Sequence, residues 1–371
     1  MSDIPFAQRV KSIDASGIRK VFDLAAKLKD PINLSIGQPD FDVPEHAKQA
    51  CIEAVKKGLN KYTQTQGIAE LRAAIAKSCN KEFGWTGERP YLITSGVSGA
   101  LMLAFLTLID PGDEVLLLDP YFVMYKHLVS LCNGKCVLVD TYPDFSPNPE
   151  KIAAAITPKT KLLVLNSPCN PTGKVFSAKD LKAIADLARK HNLLVVSDEC
   201  YNMFCYDEPF ASMASYYDNT LLMRGFSKTY GMTGWRMGWC TGPRELIEKM
   251  TMLQQYSFVC APSMAQIGAL AALDCDVQDH AGEYRQRRDM VFDALGSTFG
   301  LLKPGGTFYA FVPAPRGMTG SEFCAKAIEN NVLIIPGNVF SEQDTHFRLA
   351  YTIPQDRLAK GLEILVKLAK A

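Results

Sequence analysis

Short β-rich runs alternate with amphipathic helical stretches through the middle of this chain, and that alternation restricts the architecture more than any single motif. Val115-Leu116-Leu117-Leu118, Cys136-Val137-Leu138-Val139, the run from Lys161 to Leu165 and the run from Leu193 to Ser197 read as buried strands. Between the last two, residues 178–191 set Leu181, Ile184, Ala185, Leu187 and Ala188 at helical spacing, and Ser177 stands where an N-cap belongs. Asp110-Pro111-Gly112-Asp113 and Asn170-Pro171-Thr172-Gly173 are turn signals. Such alternation predicts an α/β fold, a largely parallel sheet with helices on both faces. The tail reads differently. Gly305 to Phe311 is a turn entering a strand, Gly320 to Asn330 a helix, Val332 to Ile335 a strand, and a final helix starts at Gln355. That pattern predicts a smaller α+β unit.

A chain of 371 residues suits two unequal domains. Its 47% hydrophobic and 21% charged residues are those of an ordinary soluble globular protein, and a net charge of +1 does not advertise nucleic acid, an anionic membrane or an acidic partner. The most apolar window, Ala100 to Ile109, is too short to span a bilayer, and the first fifteen residues lack the apolar core of a secretory signal. Eleven scattered cysteines without a CxxC pair point to free thiols in a reducing cytosol, so a cytoplasmic location is expected. Five isolated histidines and no HExxH argue against a metal site.

The chemistry concentrates in Ser227-Lys228-Thr229-Tyr230-Gly231-Met232-Thr233-Gly234-Trp235-Arg236, where a lysine precedes an arginine by eight residues with small residues between. This run closely resembles the cofactor-lysine signature of class I/II pyridoxal-phosphate aminotransferases, the aspartate aminotransferase-like family. The resemblance implies that Lys228 bonds to the cofactor and later moves protons, two uses of a lysine whose pKa its surroundings lower. Asp198, closing its strand, matches the acid that pairs with the pyridine nitrogen. Tyr201, in the family's Asp-x-x-Tyr pattern, and Asn170, in its Asn-Pro-x-Gly turn, match the groups on the phenolic oxygen. Taken alone, Asp198 is as readily an N-cap and Asn170 an ordinary turn residue.

Thr94-Ser95-Gly96-Val97-Ser98 follows the short strand Tyr91-Leu92-Ile93 and opens an apolar helix, and amides at a helix start make an anion site. The resemblance places Gly96, Val97 and Ser98 on the cofactor phosphate, with Arg236 as the permanent charge. Gly225 stands where the family often carries a phosphate-binding serine, and Ser227 is a candidate replacement. Phe122 matches the ring stacked on the cofactor, and Tyr62 a tyrosine that reaches the phosphate of a neighbouring subunit, which implies a homodimer with shared active sites. Arg348, inside the apolar run Phe347-Arg348-Leu349-Ala350, is costly to bury without an acid, and matches the fork for the substrate α-carboxylate. Asn170 and Gly37, the latter in the N-terminal loop, match further substrate contacts.

The order of these residues follows the family from end to end. It implies the fold type I architecture of pyridoxal-phosphate transferases: a large domain over 45–275, and a small domain of 276–371 joined by the N-terminal arm, 1–44. The implied reaction moves the amino group of an L-amino acid to a 2-oxo acid, with 2-oxoglutarate as the family's acceptor, in a ping-pong cycle. A C–S β-lyase on the same scaffold would use the same lysine, aspartate and arginine. A non-catalytic regulator would need a DNA-binding module for which the chain has no spare length. Arg19, Lys11 and the cluster Arg285-Arg287-Arg288 are candidate readers of a substrate side chain, although the spacing of Arg285 and Arg288 favours a solvated face. The segment from Gln255 to Ser263 is expected to border the dimer and the pocket.

Overall fold

Strands made almost wholly of leucine and valine have no polar face to turn outward, so they are stable only when both faces are covered. In the computed structural model, which describes residues 4–11, 13, 17, 21 and 28–370, such strands build one large sheet. In chain order the strands are β1 (Ile32–Asn33), β2 (Tyr91–Ser95), β3 (Glu114–Asp119), β4 (Lys135–Asp140), β5 (Thr160–Asn166), β6 (Leu194–Asp198), β7 (Thr220–Gly225) and β8 (Met237–Thr241). The tail adds β9 (Tyr309–Pro313), β10 (Val332–Leu333), β11 (Ile335–Pro336) and β12 (His346–Ala350).

The large sheet has seven strands in the order β2-β8-β7-β6-β5-β3-β4. Only β8 runs against its neighbours, so the carboxyl ends of the other six share one edge. Helices close both faces. The helix Ala178–His191 starts at Ser177 through a capping box with Asp180, ends at Asn192 with φ 50°, and buries Leu181, Ile184, Ala185 and Ala188. The apolar helix Gly96–Leu108 packs Leu101, Leu103, Ala104 and Phe105 against the other side.

The tail forms a second layer. Strands β11, β12 and β9 make an antiparallel sheet, flanked by the helices Gly320–Glu329, Gln355–Lys370 and Gln278–Phe299. The N-terminal part joins it directly: β1 pairs in parallel with β10, Ile32 opposite Val332, and the Ala350 amide donates to Leu34 O at 2.7 Å. All eleven cysteines carry free thiols. Among the described residues no helix is long and apolar enough to cross a membrane.

The expectation of a solvated arginine face fails for Arg288. Its side chain is fully buried in the helix Gln278–Phe299, donating to Asp207, Asp289 and the Pro304 carbonyl. Arg287 is also buried and pairs with Asp40 at 2.7 Å, and only Arg285 of the three keeps an exposed side chain. Asp207 and Asp40 lie far away in sequence, so helical spacing could not reveal which polar face would be covered. Arg19 lies outside the described residues, and Lys11 is exposed.

Candidate active site

Five of the parallel strands deliver their carboxyl ends to one cavity of about 250 Å³, the position where open α/β sheets bind ligands. Lys228 follows β7 on a single helical turn, Phe226–Thr229, whose Phe226 and Thr229 are buried beneath it. Its Nζ donates to the Gly37 carbonyl at 2.7 Å. Burial pulls its pKa down to about 8, and the guanidinium groups of Arg348 and Arg236 push the same way against Cys200 and Asp198. The side chain keeps some accessible area only because it faces the cavity; protein surrounds it otherwise.

Asp198 ends β6 and is 3% exposed. No helix follows it, which removes the N-cap reading. Its Oδ2 accepts from the Tyr125 hydroxyl at 2.8 Å and its Oδ1 from the Cys200 amide at 3.2 Å. Burial raises its pKa, with those two donors opposing, and no cation forms an ion pair with it among the described residues. Asn166, at the end of β5, ties the neighbouring loops together: its Nδ2 donates to Asp198 O at 3.0 Å and its Oδ1 accepts from the Asn170 amide at 2.8 Å.

An anion cradle occupies one wall. The chain leaves β2 at Gly96, whose φ of 67° suits glycine, and turns at once into the helix Gly96–Leu108. The first amides of that helix have no intrahelical partner, and Val97 and Ser98 line the cavity. A Cβ at Gly96 would lie 2.7 Å from Nη2 of Arg236, so the guanidinium packs against bare backbone. Arg236 is held in a left-handed conformation, φ 57°, with Nη1 donating to Thr233 O at 3.0 Å. Gly225 and Ser227 line the same wall.

Arg348, in the middle of β12, is 1% exposed. Its Nη1 donates to Asn170 Oδ1 at 3.0 Å and its Nη2 to Ser35 O at 2.8 Å, and the rings of Tyr309 and Phe340 cover it at 4.4 and 4.6 Å. Its Nε has no partner, and no carboxylate pairs with it among the described residues. Tyr201 and Tyr309 share a hydrogen bond of 3.1 Å, and a Cβ at Gly37 would collide with the Tyr309 hydroxyl, so that loop position requires glycine.

The structure thus gathers Gly37, Gly96, Val97, Ser98, Phe122, Asn170, Asp198, Tyr201, Ser227, Lys228, Arg236 and Arg348 in or against one cavity. Tyr62 stands apart, 83% exposed. Six lining residues were not singled out by the sequence reading: Leu101, Tyr125, Asn166, Cys200, Thr233 and Tyr309. Tyr125 stands three residues after Phe122 and packs edge-on against it at 5.7 Å, a helical neighbour that spacing could have flagged. Tyr309 lay inside the run read as a turn entering a strand, and Asn166 and Cys200 carried no motif.

These groups fit pyridoxal phosphate on physical grounds. A buried acid without a cation suits a protonated ring nitrogen, the amide cradle with Arg236 suits a phosphate, and Lys228 lies between them. A sequence profile described as aminotransferase class I and II matches residues 29–365. The chain belongs to that family. It is 40% identical over 374 residues to a probable aspartate aminotransferase of Methanocaldococcus jannaschii, covering 98% of this chain and 99% of the relative. It is 37% identical to the aspartate/prephenate aminotransferase of Thermus thermophilus, with 93% and 92% covered. Among solved structures, the Thermus thermophilus aspartate aminotransferase with maleate superposes with a TM-score of 0.92 at 35% identity, covering 98% of this chain and all of that one. The Thermotoga maritima aspartate aminotransferase gives 0.94 at 31%, covering 99% and 100%. The fold is that of the aspartate aminotransferases, and the chain is a transaminase of a pyridoxal-phosphate-dependent family, acting on amino and oxo acids.

Proposed function

We propose that this aminotransferase holds pyridoxal phosphate in the 250 Å³ cavity and moves the amino group of an L-amino acid to a 2-oxo acid, 2-oxoglutarate among the acceptors. The observation that carries the reading is Arg348. A guanidinium does not shed its charge, and one buried without a counter-ion is ready for a ligand carboxylate to complete it. Its two terminal nitrogens are already held by Asn170 and Ser35, so the fork is oriented before substrate arrives.

Bound pyridoxal phosphate supplies a carbonyl that takes the amino group and a ring that draws electron density from the substrate Cα. The chain supplies the rest. Asp198 would face the ring nitrogen, Tyr201 and Asn170 the phenolic oxygen, and Phe122 the ring face. The amides of Gly96, Val97 and Ser98, with Ser227 and Arg236, would hold the phosphate. Lys228, with a pKa near 8, is a free amine in roughly a tenth of molecules at neutral pH, and moves the Cα proton as base and then acid. Gly37 roofs the substrate.

The same reading includes a homodimer. Tyr62 and Tyr256 are 83% and 84% exposed, and Ile52, Val55, Leu59 and Met252 are exposed apolar side chains besides, which supports a second copy covering them. Tyr62 would then reach the neighbouring copy's phosphate site. Residues 45–275 form the large domain and 1–44 with 276–371 the small one, and the free thiols support a cytoplasmic location.

The test is the visible absorption of the purified protein, before and after an L-amino-acid panel is added without any oxo acid. A yellow protein that bleaches with one equivalent of 2-oxo acid released establishes the reaction and ranks the donors. Persistent colour with ammonia or sulfide released would mean elimination. A protein that stays colourless with added pyridoxal phosphate would sink the cofactor assignment.

A further inference from the structure

Behind the cavity, on the opposite face of the strand ends, lies a buried ion-pair clasp that none of the roles above uses. Successive side chains of a strand point to opposite faces. Asp198 faces the cavity, and the next residue, Glu199, faces away and is 1% exposed. On the adjacent strand Gly225 faces the cavity, and the residue before it, Arg224, faces away and is 8% exposed. Arg224 Nε and Nη2 donate to Glu199 Oε2 at 3.1 and 2.9 Å. The same guanidinium donates through Nη1 and Nη2 to both oxygens of Glu82, at 2.6 and 2.7 Å, at the end of the helix Ala69–Phe83. The second oxygen of Glu199 accepts from Ser212 Oγ at 2.6 Å and Ser197 Oγ at 2.9 Å. All three nitrogens of the guanidinium and both carboxylate oxygens of Glu199 are engaged. The Phe83 and Phe210 rings cover the guanidinium at 5.4 Å each.

The location is informative. Glu199 is one residue from Asp198, and Arg224 is four residues from Lys228. The clasp joins β6 to β7, whose register sets Asp198 opposite Met223, and the Glu199 amide donates to Met223 O at 2.9 Å. A buried charge pair is a poor source of net stability compared with apolar packing, but it has strict geometry. Moving either strand end would strand a charge, so the pair resists displacement of the acid relative to the lysine. Between those two groups, errors of an ångström are costly.

We propose that Glu199 and Arg224 are positioning residues which fix Asp198 and Lys228 relative to each other from the back of the sheet. The proposal rests on the pyridoxal-phosphate reading, and the experiment separates the two. If the wild-type protein takes up no cofactor, that reading fails. If it does, Glu199→Gln is compared with Glu82→Gln, which removes a partner of the same arginine without touching the Asp198 loop. The measurements are cofactor affinity by absorbance titration, the pH midpoint of the bound chromophore, and kcat and KM separately. Glu199→Gln is expected to weaken cofactor binding about tenfold, to shift the pH midpoint by about half a unit or more, and to lower kcat about tenfold with KM for the amino donor within about twofold. Glu82→Gln is expected to lower the melting temperature and leave these readings at wild-type values. A Glu199→Gln protein that melts earlier with an unmoved midpoint, cofactor affinity and kcat would overturn the proposal, as would equal effects from both variants. Should Glu199→Gln fail to fold, Ser212→Ala loosens the same carboxylate. It is expected to weaken cofactor binding about two- to threefold, and no change there would overturn the proposal too.

Discussion

Arg348 and Arg288 are both essentially sealed from water, yet they solve the cost of burial in opposite ways. Around Arg288, Asp289 of its own helix and Asp207 supply two carboxylates, and Pro304 a backbone carbonyl. Around Arg348, Asn170 supplies an amide oxygen, Ser35 a backbone carbonyl, and Tyr309 and Phe340 their rings, but no acid is supplied among the described residues. A third region shows what happens when a buried group can give up its charge. His346 lies among Tyr142, Phe145 and Phe311, stacked on Phe311 at 4.8 Å, and burial lowers its pKa to about 4. Pairing marks structure, neutralisation marks packing, and a permanent charge left incomplete marks a ligand site.

The comparison can be broken by experiment. Arg348→Leu is expected to lower kcat/KM for every amino donor about a thousandfold, about 4 kcal/mol, while the melting temperature holds or rises. Steady-state kinetics beside thermal melts decide it, and a large drop in melting temperature with activity intact would erase the distinction. Arg288→Met should behave inversely, losing about 3 kcal/mol of stability in urea titrations with kcat/KM within about threefold of wild type. For His346 the sign follows from a folded pKa below the unfolded 6.5: the unfolded chain takes up the proton first, so stability is lost as pH falls from 6.5 towards 4. His346→Phe is expected to remove about 2 kcal/mol of that decline, measured as the difference between the two proteins' unfolding curves at each pH. Lys228 gives the smallest effect. Its folded pKa of about 8 lies below the ordinary lysine value of 10.5, so the cofactor-free protein gains stability as pH rises from 8 to 10.5. Lys228→Met, compared without cofactor, should be about 1 kcal/mol more stable at pH 7, with the gap closed by pH 10.5.

The sequence made the scaffold and most of the cavity legible for identifiable reasons. Buried strands such as β3 and β5 advertise themselves as unbroken apolar runs, and Ser177 marked a helix start to the residue. Lys228, Asp198 and Arg348 were readable because their motifs resemble those of a known family; local pattern alone left Asp198 as readily an N-cap and marked Arg348 only as a costly charge in an apolar strand. Tyr125 and Tyr309 break nothing, since an aromatic residue on a helix or strand looks like core until the cavity is in view. Arg288 was misread because Asp207 and the Pro304 carbonyl, which help to cover it, lie outside its helix. Tyr62 is exposed and away from the cavity of its own chain, so its proposed role rests on the resemblance and on a second copy.

The parallel pairing of β1 with β10 has a consequence for how the chain is made. Ile32 cannot meet Val332 until 300 further residues have been synthesised. At 5–20 residues per second, that is a wait on the order of tens of seconds. The seven-stranded sheet, complete by Thr241, has all its strands well before then. The segment that carries Gly37 therefore leaves the ribosome long before its partner strand does, so the roof of the cavity is assembled after the floor.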